Sequence, residues 1–107
     1  MSTQDLIVRA IQLKKSISFE YIKEGKVRGI RIGNPHAIFG HIMTGNINVH
    51  IFQTDGVSDT AQQLPNWRQF LLKHCSDVQI LEDKLCFTAA VGYEPNSAMY
   101  GNVIAKL

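Results

Sequence analysis

From Ile17 onward the chain is cut into short apolar runs by turn residues, and this constrains its fold more than any other feature. Ile17, Phe19 and Tyr21 alternate with Ser18, Glu20 and Ile22, the two-residue period of a half-buried strand. Lys23-Glu24-Gly25-Lys26 supplies a turn, with Gly25 free to take positive φ. Val27 to Ile32 returns as a second strand, with Arg28, Ile30 and Ile32 on one face and Val27 and Arg31 on the other. Gly33-Asn34-Pro35 breaks the pattern, since Pro35 has no N–H for a sheet ladder. Ala37 to Met43 and Ile47 to Thr54 read as a second hairpin around Thr44-Gly45-Asn46. Two successive hairpins predict a meander that curls into a small barrel.

Ahead of the strands, Leu6, Ile7, Ala10, Ile11 and Leu13 share one helical face, with Ser2 or Thr3 as cap and Asp5 in the first turn. Asp55 to Asn66 is the loosest segment and reads as a long loop. Trp67 to Leu72 is ambiguous. Trp67, Phe70, Leu71 and His74 fit a helical period, whereas Arg68, Phe70 and Leu72 fit a strand. Asp77 to Leu81 and Leu85 to Val91 read as the last two strands, with Val78, Ile80 and Cys75 inward. Gly92 to Leu107 is too apolar for a disordered tail and is expected to pack on the barrel or on a second subunit.

The 107 residues make one domain, and 45% apolar content lets it fold without disulfides or metal. A net charge of +2 is too small for bulk nucleic-acid binding, but seven of the eleven basic residues lie at or before Arg31. That half carries +4 and the remainder −2, which favours an anionic partner at the first hairpin. Cys75 and Cys86 have no metal spacing and read as reduced thiols of a cytoplasmic protein. No signal peptide and no membrane span is expected.

Four segments carry a resemblance to a family. They are Ser18-Phe19-Glu20-Tyr21, Arg31-Ile32-Gly33-Asn34-Pro35, Arg68-Gln69-Phe70-Leu71-Leu72 and Val78-Gln79-Ile80-Leu81. Their order resembles that of the WYL domain family of bacteria and their phages, over roughly residues 5 to 81, with 82–107 as an extension. Arg68, Phe70 and Leu72 match the family's Arg-x-Phe-x-Leu motif, and Arg31 and Pro35 match its earlier Arg-x-Val-x-Pro pattern. Lys73-His74-Cys75 replaces the late Asp-Arg-Ile, and the tripeptide that names the family is absent near Asn48-Val49-His50-Ile51.

The resemblance implies a mainly-β α+β fold: an N-terminal helix, a five- to six-stranded SH3/Sm-like barrel and a packed C-terminal tail. It favours a strand through Arg68 to Leu72. It also implies a role in transcription regulation, exerted in trans because no helix-turn-helix domain precedes the barrel.

The candidate ligand site is Arg68, with Arg31, Arg28 and His74 beside it. A guanidinium fork matches phosphate oxygens, and Trp67, Phe70 or Tyr21 would stack a base. The expected function is a non-catalytic accessory module that senses a ligand or binds a nucleotide or single-stranded nucleic acid, with a regulatory protein as candidate partner. The alternative is an interaction module whose role is homo-oligomer assembly. His36, His41, His50 and His74 lack metal-ligand spacing, the glycines form no phosphate loop, and no metal, cofactor or catalytic residue is expected.

Overall fold

Ser2 starts the helix: its hydroxyl accepts the Asp5 N–H at 3.0 Å, and α1 runs Thr3–Leu13. The helix ends on Lys14, in the left-handed conformation at φ 56°, while the Lys15 N–H reaches back to the Ala10 carbonyl at 2.9 Å. So short a helix is held by its buried face of Ile7, Ala10 and Ile11 rather than by propensity. The computed structural model describes residues 1–60 and 63–107.

Six strands follow: β1 (Ile17–Tyr21), β2 (Ile30–Gly40), β3 (Ile47–Gly56), β4 (Asn66–Leu71), β5 (Cys75–Ile80) and β6 (Asn102–Lys106). They form one antiparallel sheet in the order β4-β3-β2-β1-β5, with β6 added to β2. The expected mainly-β α+β architecture is therefore present, as a barrel-like sheet with one helix against β2, β5 and β6. Trp67 to Leu71 is strand, and the turn after it is a 3-10 helix, Leu72–His74. Among the described residues no helix is long and apolar enough to cross a membrane.

β2 departs from the sequence expectation. Gly33-Asn34-Pro35 does not end it; one strand runs from Ile30 through Pro35 to Gly40. Register shifts between Ile32 and Gly33 and between Pro35 and Ala37 absorb the proline and bend the strand. At Gly33 the bend brings β3 so close that a Cβ would lie 2.5 Å from Ile51 Cγ2. Beyond the bend the alternation stops. Pro35 to Phe39 are all buried, the pattern of a strand covered on both faces.

One cover is the main core, in which Ile38 packs with Ile11, Phe19, Val49, Ile51 and Phe70. The other is the C-terminal segment, whose Tyr93 and Tyr100 pack on Ala37 and Phe39. The tail thus packs on the barrel and supplies its sixth strand. Leu85 to Val91, expected as a strand, is coil with Leu85 92% and Val91 94% exposed. The last strand is instead β6, which pairs with β2 and comes from the Gly- and Asn-containing tail.

Candidate functional site

Arg31 lies on the face of β2 that turns into the barrel, and it is fully buried. Its guanidinium carbon sits 5.4 Å from the Phe70 ring centroid and 5.8 Å from that of Tyr21, within cation–π range. Nη2 donates to the Val27 carbonyl at 3.0 Å and to Asp59 Oδ2 at 2.8 Å. Nε has no hydrogen-bond partner. A buried guanidinium with an idle donor calls for an anion.

Arg68 comes from β4 and aims at the same region. Its Nη1 donates to the Trp67 carbonyl at 2.9 Å, and Nη2 donates to Ser58 Oγ at 3.2 Å and Thr60 Oγ1 at 3.0 Å. Both arginines therefore hold the Ser58-Asp59-Thr60 stretch after β3. That stretch is set by the strand end. Gly56, at φ +93°, turns the chain where a Cβ would strike the Ile30 carbonyl. The Val57 N–H then donates to Ile30 at 3.1 Å, and buried Gln53 donates to the Val57 carbonyl at 2.8 Å.

Around these groups is a cavity of about 240 Å³, lined among others by Arg31, Arg68, Lys23, Lys26, Asp59 and Tyr21. Four cations and one carboxylate converge there. Asp59 Oδ1 also accepts the Val27 N–H. Burial by itself would raise the Asp59 carboxyl, but the Val27 N–H, the Arg31 guanidinium and the charge of Lys26 outweigh it and hold the group below 3.8. Burial raises the Tyr21 phenol above 10.0, and its oxygen accepts the Leu71 N–H at 3.0 Å. A neighbouring cavity of about 250 Å³ offers only Lys73 as a charged side chain. A groove of about 440 Å³ beside α1 sets Arg9 against Glu82. Neither concentrates charge of one sign.

Of the residues expected to form a site, Arg31, Arg68 and Tyr21 meet at this cavity and three do not line it. Arg28 precedes β2, lies 3.6 Å from Glu20 and is largely in solvent. His74 sets its ring edge-on to Tyr21 at 5.9 Å. Trp67 is on the outer face of β4, because neighbours on a strand point to opposite sides. It packs 4.7 Å from His36, 4.5 Å from His50 and 5.3 Å from Phe52. Lys23, Lys26 and Asp59 were not expected at the site. The charged turn Lys23-Glu24-Gly25-Lys26 was the available signal for two of them.

The outer face holds a second polar cluster. The His36 ring bonds the Asn34 carbonyl through Nδ1 at 2.7 Å and accepts the Ala90 N–H on Nε2 at 3.0 Å. That pairing requires the neutral Nδ1–H tautomer. His50 Nδ1 lies 2.8 Å from the Tyr100 hydroxyl. Burial lowers both imidazoles from 6.5, and His50, which also feels His36, falls to about 4. The cluster is packed with rings and fastens residues 87–100 to the sheet. Burial pushes the Cys75 thiol up to about 12, so it stays protonated at neutral pH. Among the described residues no group of three or more His, Cys, Asp or Glu side chains is placed to hold a metal ion. No protein-family model matches this chain, and no curated protein matches it.

Proposed function

We propose that the chain is a WYL-like, non-catalytic accessory module that binds a phosphate-bearing ligand, a nucleotide or single-stranded nucleic acid, at the Arg31–Arg68 cavity. The observation that carries this reading is the convergence of Arg31, Arg68, Lys23 and Lys26 on one concave site of about 240 Å³. Guanidinium forks suit phosphate oxygens, and a basic concavity draws anions by its field. Arg68 is the best residue for contact, because Arg31 is fully buried.

Titration of nucleotides and short single-stranded oligonucleotides against wild type and Arg68→Ala tests the reading. Binding that weakens at least tenfold in the variant, and that falls with salt in proportion to the phosphates held, supports it. Equal weak binding by both proteins sinks it.

The second reading, an assembly module, is favoured by Val103 and Ile104, which are exposed on β6, and by Ile42 and Met43 at the β2–β3 turn. Deleting Gly92 to Leu107 cannot test it, since that removes a strand and the buried Tyr100. Light scattering of wild type and Ile104→Glu does. A stable oligomer dissociated by the substitution favours assembly, and a wild-type monomer rules it out.

A further inference from the structure

The Arg31 guanidinium already has an anion, and that anion belongs to the chain. Asp59 lies on an exposed stretch, yet its side chain is only 18% exposed and turns inward to Arg31. Its two oxygens divide the work: Oδ2 takes the guanidinium at 2.8 Å and Oδ1 takes the Val27 N–H. On either side the Ser58 and Thr60 hydroxyls bond Arg68. One carboxylate flanked by two hydroxyl oxygens presents the arginine pair with the acceptors that a phosphate group would present.

We propose that Asp59 is an internal competitor at this site, a carboxylate that an incoming phosphate group must displace from Arg31. This rests on the reading of the cavity as an anion site, and it adds how that site is regulated and what it selects. The main chain around Asp59 is fastened upstream by Val57 to Ile30 and by Gln53 to Val57. Rotation of the Asp59 side chain then releases Arg31 Nη2 from its carboxylate. The vacated position has one N–H from Val27, the idle Nε and the Nη2 of Arg31, with Arg68, Lys23 and Lys26 across the cavity.

The ligand class follows from the walls. Tyr21 and Phe70, the rings beneath Arg31, are 4% and 3% exposed, and Trp67 is on the other face. Among the described residues lining the cavity no open aromatic surface waits for a base, so recognition falls on the phosphate group itself. A compact polyanion such as pyrophosphate is the simplest probe.

Pyrophosphate is titrated by calorimetry into wild type, Asp59→Asn and Arg68→Ala at constant ionic strength. Asparagine keeps the side-chain shape and an acceptor for Val27 but removes the competing charge. Binding at least tenfold tighter in Asp59→Asn than in wild type is expected, with weaker binding in Arg68→Ala. Wild type supplies a second readout that needs no variant to fold. In nitrogen-15 spectra, pyrophosphate should move the Val27 amide, which loses its Asp59 acceptor, in step with the cavity residues.

If pyrophosphate shifts Arg68 while Val27 stays still, or if wild type and Asp59→Asn bind it equally, Asp59 is not displaced and the inference is overturned, while the anion site stands. If pyrophosphate binds neither wild type nor Asp59→Asn but oligonucleotides bind wild type and not Arg68→Ala, the inference again falls and the site reading survives. If no phosphate-bearing probe binds either protein, both fall together.

Discussion

Strands β3 and β4 separate two buried polar clusters that meet the same difficulty in opposite ways. On the inner face, Arg31 keeps its charge and is matched by a carboxylate from a loop. On the outer face, His36 and His50 are held neutral and are matched by carbonyl, amide and hydroxyl groups. Guanidinium cannot shed its proton, so it must have an anion; imidazole can, and burial alone makes it do so. On the proposed reading, the first solution leaves a site whose partner an incoming anion exchanges. The second makes a fastener. This contrast is why the inner face is the better place for a ligand, although the outer face holds more aromatic rings.

The largest effect expected from breaking the contrast is at Asp59. Asp59→Ala leaves a fully buried guanidinium unmatched and should cost about 3–5 kcal/mol in urea unfolding. Arg31→Met with Asp59→Leu should recover most of that loss, because two apolar groups then fill the place of the pair. A single-variant loss below about 1 kcal/mol would mean that the Arg31 charge finds water instead.

Trp67→Ala comes next, at about 2–4 kcal/mol for a large ring that is not fully enclosed. Anion binding should be unchanged by it, since Trp67 is outside the cavity. A binding defect in a folded Trp67→Ala protein would erase the distinction between the faces.

The pH dependence of stability sharpens the comparison further. His36 and His50 have folded values below the unfolded 6.5, so the unfolded chain takes up protons first. Their contribution is complete above 6.5, is lost as the pH falls toward about 4, and changes no further once both states are protonated. Asp59 has a folded value below 3.8, so its contribution is complete above 3.8 and is lost only as the pH falls through the folded value. Thermal melts of wild type should therefore show two acid limbs. His50→Gln should flatten the upper one and Asp59→Asn the lower.

The smallest effect is Tyr100→Phe, which removes the hydroxyl bonded to His50 and should cost about 1 kcal/mol. Equilibrium unfolding measures it, with pyrophosphate affinity unchanged.

What the sequence disclosed follows the reach of its local signals. The Ser2 cap and the alternation of β1 each depend on neighbours a few residues away, and each is where it was expected. β2 was obscured because Pro35 and two register shifts interrupt its period, and because its second half is covered on both faces. Leu85 to Val91 carried apolar residues but lies outside the sheet, while β6 came from a segment with weaker pattern. At the site, Arg31 and Arg68 could be brought together by strand alternation, whereas Lys23, Lys26 and Asp59 come from connections that have no period. The same alternation separates Trp67 from Arg68: adjacent strand residues cannot line one cavity from one face.

The bent β2 strand has a kinetic consequence. It pairs with β1 through Ile30–Gly33, with β3 along most of its length, and with β6 through Ala37–Gly40. Its partners therefore include residues as near as Ile47, opposite Gly40, and as remote as Lys106, opposite Ala37. A sheet closed by such distant pairing has high contact order, which places folding in the range of about milliseconds to seconds. The β1–β2–β3 meander needs only the first half of the chain, so it can form before β6 arrives. Until then, the Ala37–Gly40 edge and the ring-lined outer face remain open. Hydrogen exchange should accordingly show the β6 amides opening before those at the centre of β2.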